Sequence, residues 1–588
     1  MAFRHTTPEG REYIAHRPQV SAREAMVASG HHYASQAGLR ILEKGGNAID
    51  AGVAAGICLS VLHSDMVSFL GVAPTMIYLA KERRVLTISG LGRWPKAASI
   101  EWFEKSCGGE IPPGVRRAVT PAAIDAWLTA LERYGTKSFA EVSQDAISLA
   151  QDGFPMHHFM YDHIKSAEGD YYRWESTRPV YFPGGELIPV GGRVRVPDLA
   201  ETMRRMTRAE QRAAGGRAGG VRAARDEVYT GETARLMVDF IQREGGLMTM
   251  DDLADFHVLE EEPVMTEFLG HQVYACGPWC QGPTLLEAMN ILSNFDILAL
   301  GHNSPGYLHA LMAALNLAFA DREAYIGDPE FVDVPIDGLL STEYAAKQAE
   351  RIDMNKAFAD MPEPGDPWAH QGGAHPWRYD GAHRVPQASE AEYQHDTSYC
   401  TAVDSEGNAF SCTPSDPANA MPFVPGVGAT VSGRGSQSWL DPAHPSCLAP
   451  WKRPRLTPNP ALTLKDGAFY MTLGTPGGDV QPQAMLQVFL NHALFGMPPQ
   501  MAIEAPRAAT ANFPNSFWPH AYEPASAKAE ARLLSDAGPA LSGMGYKMGS
   551  WPDFSWPPGS VCAIVKDPET GFLLGGADPR RESYAVGW

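Results

Sequence analysis

The stretch QHDTSYCTAVDSEGNAFSCTPS, residues 394–415, decides the fold. Its segments TSYCTAV and AFSCT alternate as β-strands do, and the short turn between them contains Gly407, so a β-hairpin is predicted. Thr397 opens the first strand. Because side chains alternate along a strand, Thr397 and Thr401 share one face and Cys400 lies on the other. A lone hydroxyl at the beginning of a strand is the first candidate for chemistry.

The composition bounds the class of protein. The chain has 588 residues, 44% of them hydrophobic, and a net charge of -20. Its length corresponds to about four domain-sized units with ample core. This net negative charge disfavours nucleic acid and anionic membrane surfaces as partners and favours small molecules.

Targeting and membrane signals are weak in this sequence. The first twenty residues contain no apolar run typical of a secretory signal, so we expect a cytoplasmic location. The longest apolar stretch, AIDAGVAAGICLSVL, is shorter than the roughly 20 residues of a membrane helix and contains Asp50, which predicts a buried helix. Of the eight cysteines only Cys276 and Cys280 are close in sequence, and they predict buried thiols rather than a metal site.

Two segments interrupt the globular pattern. Residues 206–227 are basic, low in complexity and poor in large apolar side chains, which predicts an exposed insertion. A nucleic-acid-binding arm is the alternative, but the segment has no interleaved aromatic residues. Residues 355–396 are rich in proline, glycine and histidine, which predicts a mobile surface segment leading to Thr397.

A second element of interest follows the hairpin. AFYMTLG is predicted to be a strand, TPGGD a tight turn, and the apolar run after it a helix. The turn lacks the Lys and Ser or Thr of a phosphate-binding loop, and Asp479 would repel phosphate. The backbone N–H groups of Gly477 and Gly478 at a helix start can instead stabilise a negative oxygen, although a plain strand-to-helix turn explains the same pattern.

Threonine becomes a nucleophile only when a base removes its proton. One solution uses the residue's own α-amino group, freed by cutting the preceding peptide bond. That amine has a reference pKa of about 7.7 to 8.0, so much of it is neutral near pH 7.5 and no histidine is needed. Such a role would explain the position of Thr397.

Several segments in order make the chain resemble the gamma-glutamyltransferase family. The hairpin DTSYCTAVDSEGNAFS resembles the start of the family's small subunit, and further similar segments cover nearly the whole chain: GGNAIDAGVAA, RYGTKSFAEVSQDAISLAQDGFP, HALMAALNLAFADREAYIGDP, TPGGD and GGADPRR. The resemblance implies an α+β fold of the N-terminal nucleophile hydrolase type, a four-layer αββα sandwich made as one precursor.

The resemblance also implies a processing site and catalytic residues. The cut would fall between Asp396 and Thr397, giving a large subunit 1–396 and a small catalytic subunit 397–588. Thr397 would be nucleophile and base, and Gly477 and Gly478 would form the oxyanion hole. The adjacent Ser398 can hydrogen-bond the amino group, with an ordinary surface or core hydroxyl as the alternative. After cleavage the two subunits would stay together, and a homodimer of such pairs is one possible assembly.

The substrate-binding segments depart from the family. GLGRWPKAAS offers Arg93 as a carboxylate ligand at a shifted position, with an ordinary ion-paired arginine as the alternative. RLTPNP keeps one hydroxyl, Thr457, and Ser415 replaces a threonine. The family's acidic ligand for the substrate ammonium is missing from VSGRGSQSWLDP, where Arg434 stands nearby. We therefore expect an acyl group that carries a carboxylate or polar group and lacks an ammonium.

The sequence thus predicts a self-processed threonine amidohydrolase that cleaves a gamma-glutamyl or related small acyl amide, with hydrolysis favoured over transfer and no cofactor. The alternatives are a true gamma-glutamyl transpeptidase or glutathione hydrolase, and a catalytically silent binding protein. A metalloenzyme is suggested by MHHFMYDH, residues 156–163, but that segment has no ligand spacing such as HExxH, and we expect no metal.

Overall fold

Two seven-stranded sheets form the centre of the protein. The computed structural model describes residues 3–6, 10, 12–372 and 396–588. In sheet order, the first sheet consists of Tyr584–Gly587, Met26–Ser29, Cys400–Val403, Ala409–Cys412, Thr75–Leu79, Arg84–Ile88 and Glu260–Glu261. The second sheet consists of Val264–Phe268, His271–Ala275, Ala461–Lys465, Ala468–Gly474, Cys562–Lys566, Leu573–Ala577 and Val20–Ala22. Neighbouring strands in both sheets are antiparallel.

Helices cover the outer face of each sheet. The α-helices are His32–Glu43, Ala48–Leu62, Ile100–Cys107, Ala123–Tyr134, Phe139–Asp152, His158–Ser166, Glu168–Tyr172, Arg178–Tyr181, Pro197–Arg212, Gly216–Tyr229, Glu232–Arg243, Met250–Asp255, Gly282–Leu292, Ile297–Leu300, Pro305–Tyr325, Ile336–Leu339, Thr342–Ala349, Gln481–Ala493, Pro499–Glu504 and Ala531–Met544. Short 3-10 helices are Val115–Arg117, Pro367–His370, Arg434–Gln437 and Gly478–Val480. Three minor sheets comprise Phe3–Thr6 with Glu12–Ala15, Phe154–Pro155 with Arg193–Val194, and Ala508–Thr510 with Ser526–Glu530 and Lys547–Trp551.

Three apolar cores hold these layers together. Between the sheets, Tyr399 and Val403 of the first pack with Leu462 and Ile564 of the second. On the other face of the first sheet, the fully buried helix Ala48–Leu62 packs closely enough that a side chain at its Gly52 would collide with Phe410. A separate core joins the second sheet to its own helices. The structure therefore confirms the predicted four-layer αββα sandwich.

The predicted cut between residues 396 and 397 divides both sheets. Each sheet contains strands from both sides of the cut, and Cys400–Val403 lies hydrogen-bonded between Met26–Ser29, from before the cut, and Ala409–Cys412, from after it. Two chains produced there would share both sheets and the core between them. They would stay associated without the connecting peptide bond.

The predicted hairpin is present, with one shift. Cys400 pairs with Cys412 across the two strands, and residues 404–408 form the turn. The first strand begins at Cys400 rather than at Thr397, which lies three residues before it. Within the strand the predicted alternation holds, because Thr401 hydrogen-bonds Thr472 of the second sheet while the Cys400 thiol contacts the carbonyl of Gly52 on the helix side.

The expectation of an exposed insertion at residues 206–227 needs correction. The segment belongs to two helices, Pro197–Arg212 and Gly216–Tyr229, and the second buries Val221, Ala224 and Val228. Arg225 pairs with the buried Asp125 and Arg222 pairs with Glu132, both acids belonging to the helix Ala123–Tyr134. Arg208, Arg212 and residues 214–216 are exposed, so the segment is a partly buried pair of helix ends rather than an exposed insertion.

The second segment, 355–396, is covered in part. Pro367 is buried in a short 3-10 helix, and the carbonyl of Gly365 accepts a hydrogen bond from Tyr325. Asp396 at its end is fully buried. The expected mobility concerns mainly residues 373–395, which lie outside the described residues.

Candidate active site around Thr397

The backbone of Thr397 is held on both sides in a strained conformation. Its N–H donates to the carbonyl of Met66 at 3.1 Å, and its carbonyl accepts from Nη1 of Arg581 at 2.8 Å. Its φ is +95°, which is a rare value for a β-branched residue and costs about 1 to 3 kcal/mol. Contacts from both sides of the chain thus fix the residue against its own preference.

The side chain of Thr397 lies in a ring of polar groups away from water. Its Oγ1 donates to Oδ1 of Asp396 at 2.9 Å and lies 2.7 Å from Oγ of Ser415. Nη2 of Arg434 contacts both Ser415 and Oδ2 of Asp396, the latter at 2.5 Å. All four residues are buried. The hydroxyl therefore has a carboxylate acceptor on one side and a hydroxyl held by a guanidinium on the other.

A second carboxylate, that of Asp416, also pairs with the guanidinium of Arg434. Oδ2 accepts from Ser432 at 2.7 Å, Oδ1 accepts from the N–H of Gly433 at 3.0 Å, and Oδ1 lies 3.4 Å from Nε of Arg434. Burial raises the pKa of Asp416, and the charge of Arg434 opposes that rise. Asp416 is not among the residues predicted from the sequence, although it stands next to Ser415 in the segment after the hairpin.

A small cavity adjoins this ring. It is lined by Asp396, Asp416, Pro417, Ala420, Met421, Gly433, Arg434, Ser436 and Phe517. The lining combines one cation, two carboxylates and an apolar wall. Such a mixture suits a small ligand with a charged end and a short carbon chain.

The glycine pair lies against the same wall. The strand Ala468–Gly474 and the helix Gln481–Ala493 confirm the predicted strand, turn and helix. Gly477 and Gly478 have φ of +127° and +56°, and a Cβ on either would meet only ordinary contacts, at 3.4 Å or more. Backbone conformation rather than space therefore demands glycine here. The nearest contact for a Cβ on Gly478 is Phe517, which lines the cavity.

A buried hydrogen-bond network, which the sequence did not predict, holds this turn in place. Gln281 donates to the carbonyls of Gly478 at 2.9 Å and Thr457 at 2.8 Å. Arg322 holds Gln281 at 3.1 Å and Asp479 at 2.5 Å. Asp479 thus anchors the turn, and the partners lie too far apart in sequence to give a local signal.

The remaining predicted residues lie around the ring at different depths. Thr457 is buried behind the cavity lining, where its hydroxyl accepts from Gln437 at 2.9 Å. Ser398 is buried, and its Oγ has no hydrogen-bond partner in the described part of the chain. Arg93 is not among the residues that line the cavity; its Nη2 bonds Glu330 at 2.5 Å. Arg93 thus has the ion pair that was its alternative interpretation.

A buried cluster of ionisable residues surrounds Arg581. The guanidinium lies 4.3 Å from the ring centre of Phe159, and burial lowers its pKa to about 10. The neighbouring Glu582 lies 3.4 Å from Nδ1 of His157. Burial opposes charge on both partners, but their mutual contact outweighs it, so the pKa of Glu582 falls to about 2 and that of His157 rises.

Two further histidines of this cluster are held neutral. Burial, followed by the charge of His157, lowers the pKa of His31 and of His63 well below the usual value. Of the histidines in MHHFMYDH, His157 pairs with Glu582, His163 hydrogen-bonds Asp65 at 3.0 Å, and His158 is exposed. Among the described residues, no group of three or more His, Cys, Asp or Glu side chains is arranged to hold a metal ion. In the same residues, no helix is long and apolar enough to span a membrane.

Comparison with known proteins identifies the family. The gamma-glutamyltranspeptidase family model matches residues 34–588. The glutathione hydrolase-like YwrD proenzyme of Bacillus subtilis (strain 168) is 31% identical, over 97% of this chain and 99% of its own. The solved structure of LmbA2991HD is 33% identical, with a TM-score of 0.91 over 98% of this chain and all of its own.

Cephalosporin acylase from Bacillus halodurans is another structural neighbour. It is 28% identical and superposes with a TM-score of 0.83, covering 99% of both chains. The sandwich is accordingly that of the N-terminal nucleophile hydrolases. The matches span nearly the full length of both partners, as the sequence resemblance did. The chain belongs to the gamma-glutamyltransferase family and is an enzyme of that type.

Proposed function

We propose that this protein is a precursor that cuts itself between Asp396 and Thr397 and then acts as a threonine amidohydrolase. The observation that carries the proposal is the set of contacts to the Thr397 hydroxyl. It lies 2.9 Å from a carboxylate oxygen and 2.7 Å from Ser415, with its backbone strained at a φ of +95°. A buried threonine without a chemical role has no need of this arrangement.

The self-cleavage is an acyl transfer from nitrogen to oxygen. The carboxylate of Asp396 takes the hydroxyl proton, and Oγ1 of Thr397 bonds to the carbonyl carbon of Asp396. The carbon–nitrogen bond then breaks, and the nitrogen gains a proton and becomes the α-amine of Thr397. Water hydrolyses the ester. Cleavage ends the constraint on φ, because the Thr397 nitrogen is no longer part of a peptide bond, so the strain favours the product.

The mature enzyme would reuse the same oxygen. The freed amine of Thr397 removes the hydroxyl proton, the oxygen attacks an amide carbonyl, and the amine product leaves with that proton. Backbone N–H groups of Gly477 and Gly478 would stabilise the tetrahedral oxyanion. Water then releases the acyl group. The relatives named as a hydrolase and an acylase support water rather than an amine as the acceptor.

The substrate class that we propose is a small acyl amide related to the gamma-glutamyl amides. A true transpeptidase or glutathione hydrolase is the second candidate, favoured by the family alone. Arg434 in the cavity disfavours this second candidate, because its guanidinium would repel the ammonium of a gamma-glutamyl group. Cytoplasmic location, assembly into homodimers and a binding role for Arg93 stay predictions.

The proposal is tested with purified, processed protein and a panel of chromogenic acyl anilides that includes the gamma-glutamyl compound. We expect release of the aniline from at least one, with a burst of aniline if ester hydrolysis is the slow step. A folded and processed protein that is inert toward every amide would favour the catalytically silent alternative.

A further inference from the structure

We infer that Asp396 occupies the enzyme's own acyl site in the precursor, and that the substrate acyl group is a succinyl-type group whose far carboxylate pairs with Arg434. This inference rests on the proposed function and specifies its substrate. It follows from the contacts of Asp396, from the donors of Arg434 and from the lining of the cavity.

The peptide bond between Asp396 and Thr397 in the precursor corresponds to the amide bond that the mature enzyme would cut in its substrate. Self-cleavage transfers the acyl group of Asp396 to Oγ1 of Thr397, and later turnovers transfer a substrate acyl group to the same atom. In Asp396 two carbons separate the reacting carbonyl from the side-chain carboxylate, as in a succinyl group. That carboxylate lines the cavity and contacts the nucleophile's hydroxyl at 2.9 Å. The precursor therefore presents a four-carbon acyl group with a terminal carboxylate.

The buried charge of Arg434 needs acidic partners. Its side chain is 1% exposed, and its acidic partners in the described chain are Asp396 at 2.5 Å and Asp416 at 3.4 Å. Cleavage makes Asp396 a chain end that must withdraw before a substrate can enter. A buried guanidinium would then keep one partner, and unpaired buried charge is costly. A carboxylate on the substrate would replace Asp396 as the second acidic partner of Arg434.

The guanidinium of Arg434 has donors with which it can bind a carboxylate. Nη1 of Arg434 has no hydrogen-bond partner in the part of the chain that the structure describes, and Nη2 is the atom that Asp396 now engages. Once Asp396 leaves, Nη1 is available together with the N–H of Nη2 that does not bond Ser415. They present the parallel donors that bind a carboxylate through both oxygens.

The lining of the cavity excludes an ammonium on the acyl chain. The acids lining the cavity are Asp396 and Asp416, and both oxygens of Asp416 are occupied by Ser432, Gly433 and Arg434. The rest of the wall includes Met421 and Phe517, which suit methylene groups. A gamma-glutamyl group would bring a cation toward Arg434 with no free counter-charge.

The reaction balances as an ordinary amide hydrolysis. The bond from Oγ1 of Thr397 to the succinyl carbonyl carbon forms, and the bond from that carbon to the amine nitrogen breaks. The amine leaves with the hydroxyl proton, relayed by the α-amine of Thr397. Water then cleaves the ester, so that succinate leaves and the hydroxyl is restored.

The test compares four p-nitroanilides on processed wild-type enzyme: succinyl, butyryl, glutaryl and gamma-glutamyl. Butyryl has the same carbon count as succinyl without the carboxylate. We expect kcat/KM for succinyl to exceed that for butyryl by about 100-fold, the effect of leaving a buried charge unpaired, and to exceed the other two. Free succinate should inhibit competitively, and butyrate at the same concentration should not.

Each outcome has a distinct meaning. Turnover of butyryl equal to or better than succinyl, or no inhibition by succinate, overturns this inference and leaves an amidohydrolase. Inertness of the processed enzyme toward all four and toward the wider panel of acyl anilides would contradict the proposed function instead. Arg434→Gln, if it is processed, should lose the preference for succinyl over butyryl, whereas Arg133→Gln, a half-exposed arginine paired with Glu260, should keep it.

Discussion

The hydroxyl of Thr397 donates a hydrogen bond to the side chain of Asp396, the residue across the peptide bond that we propose is cut, at 2.9 Å. In the proposed self-cleavage, the attacking atom and its proton acceptor thus belong to adjacent residues. Before cleavage Thr397 has no free amine, so its own nitrogen cannot serve as base. The precursor and the mature enzyme would therefore use different bases for one nucleophile.

The role of Asp396 can be tested by Asp396→Asn, which keeps the size of the side chain and removes its charge. We expect self-cleavage to slow by about 100-fold or more, as is typical when a positioned base is lost. A time course on a denaturing gel measures the rate. Asp162→Asn, in an exposed position, is the control. Cleavage of Asp396→Asn at the wild-type rate would remove this carboxylate from the mechanism.

The oxyanion role of the glycine pair is tested by Gly478→Ala. The alanine Cβ fits in space, but a φ of +56° strains an L-residue and shifts the backbone N–H. We expect kcat to fall by about 100-fold or more, the usual effect of losing one oxyanion donor.

Gly467→Ala is the matched control for backbone strain, since Gly467 has a φ of +73°, open space around it and a position in a hairpin turn away from the cavity. Thermal unfolding should show similar losses of about 1 kcal/mol for both variants. If Gly467→Ala lost as much activity as Gly478→Ala, general destabilisation would explain both results.

The sequence predicted local features well where neighbours in the chain determine them. The hairpin from Cys400 to Cys412 and the turn at Gly477 follow from alternation, glycine and the change of periodicity. Residues 206–227 were mistaken for an exposed insertion because their burial depends on distant acceptors such as Asp125.

The site itself depends on pairs that sequence spacing cannot show. Arg434 lies 38 positions from Asp396, and Arg93 lies 237 positions from Glu330. The sequence offered both arginines as partners for a substrate carboxylate, with an ordinary ion pair as the alternative for Arg93. Only the folded chain distinguishes the one that lines the cavity from the one that is paired elsewhere.

Arg581 is expected to position the nucleophile and to tune its amine. Its Nη1 holds the carbonyl of Thr397 at 2.8 Å, while Asp65 and Glu582 supply the nearby negative charge. A cation beside an amine disfavours the protonated amine and lowers its pKa. In Arg581→Gln we therefore expect the acid limb of the kcat/KM profile to move to higher pH.

Arg581→Lys separates the effect of the positive charge on the amine pKa from the effect of side-chain packing. Arg581→Lys should keep the acid limb close to its wild-type position, although it loses the planar donor geometry. A pH profile of Arg581→Gln that overlays the wild type, with only a lower plateau, would assign Arg581 a purely structural role.

The pair of His157 and Glu582 should make stability depend on pH. The pKa of Glu582 is about 2 in the folded state, below the ordinary value of 4.5, so its contribution is present above pH 4.5 and is lost as the pH falls toward 2. His31 and His63 act in the same direction, since they are buried neutral and gain protons on unfolding as the pH falls below about 6.5. His157 opposes them, because its raised pKa favours the folded state at lower pH.

Glu582→Gln isolates the carboxylate in this balance. We expect a loss of about 2 to 3 kcal/mol at pH 7, seen as a lower Tm, and a smaller difference from wild type as the pH falls below 4.5. Glu569→Gln, at an exposed position, is the control. A difference between Glu582→Gln and wild type that stayed constant from pH 4.5 to pH 3 would exclude the charge of Glu582 as its cause.

The most direct test of the whole account is the intact mass of the purified protein, measured under denaturing conditions for wild type, Thr397→Ser and Thr397→Ala. The account predicts two wild-type chains, residues 1–396 and 397–588, whose masses sum to the precursor plus one water. It predicts slower cutting at the same bond in Thr397→Ser and a single uncut, inactive chain in Thr397→Ala. A wild-type enzyme that turns over amides as one uncut chain, or Thr397→Ala that is cut and active, would contradict it.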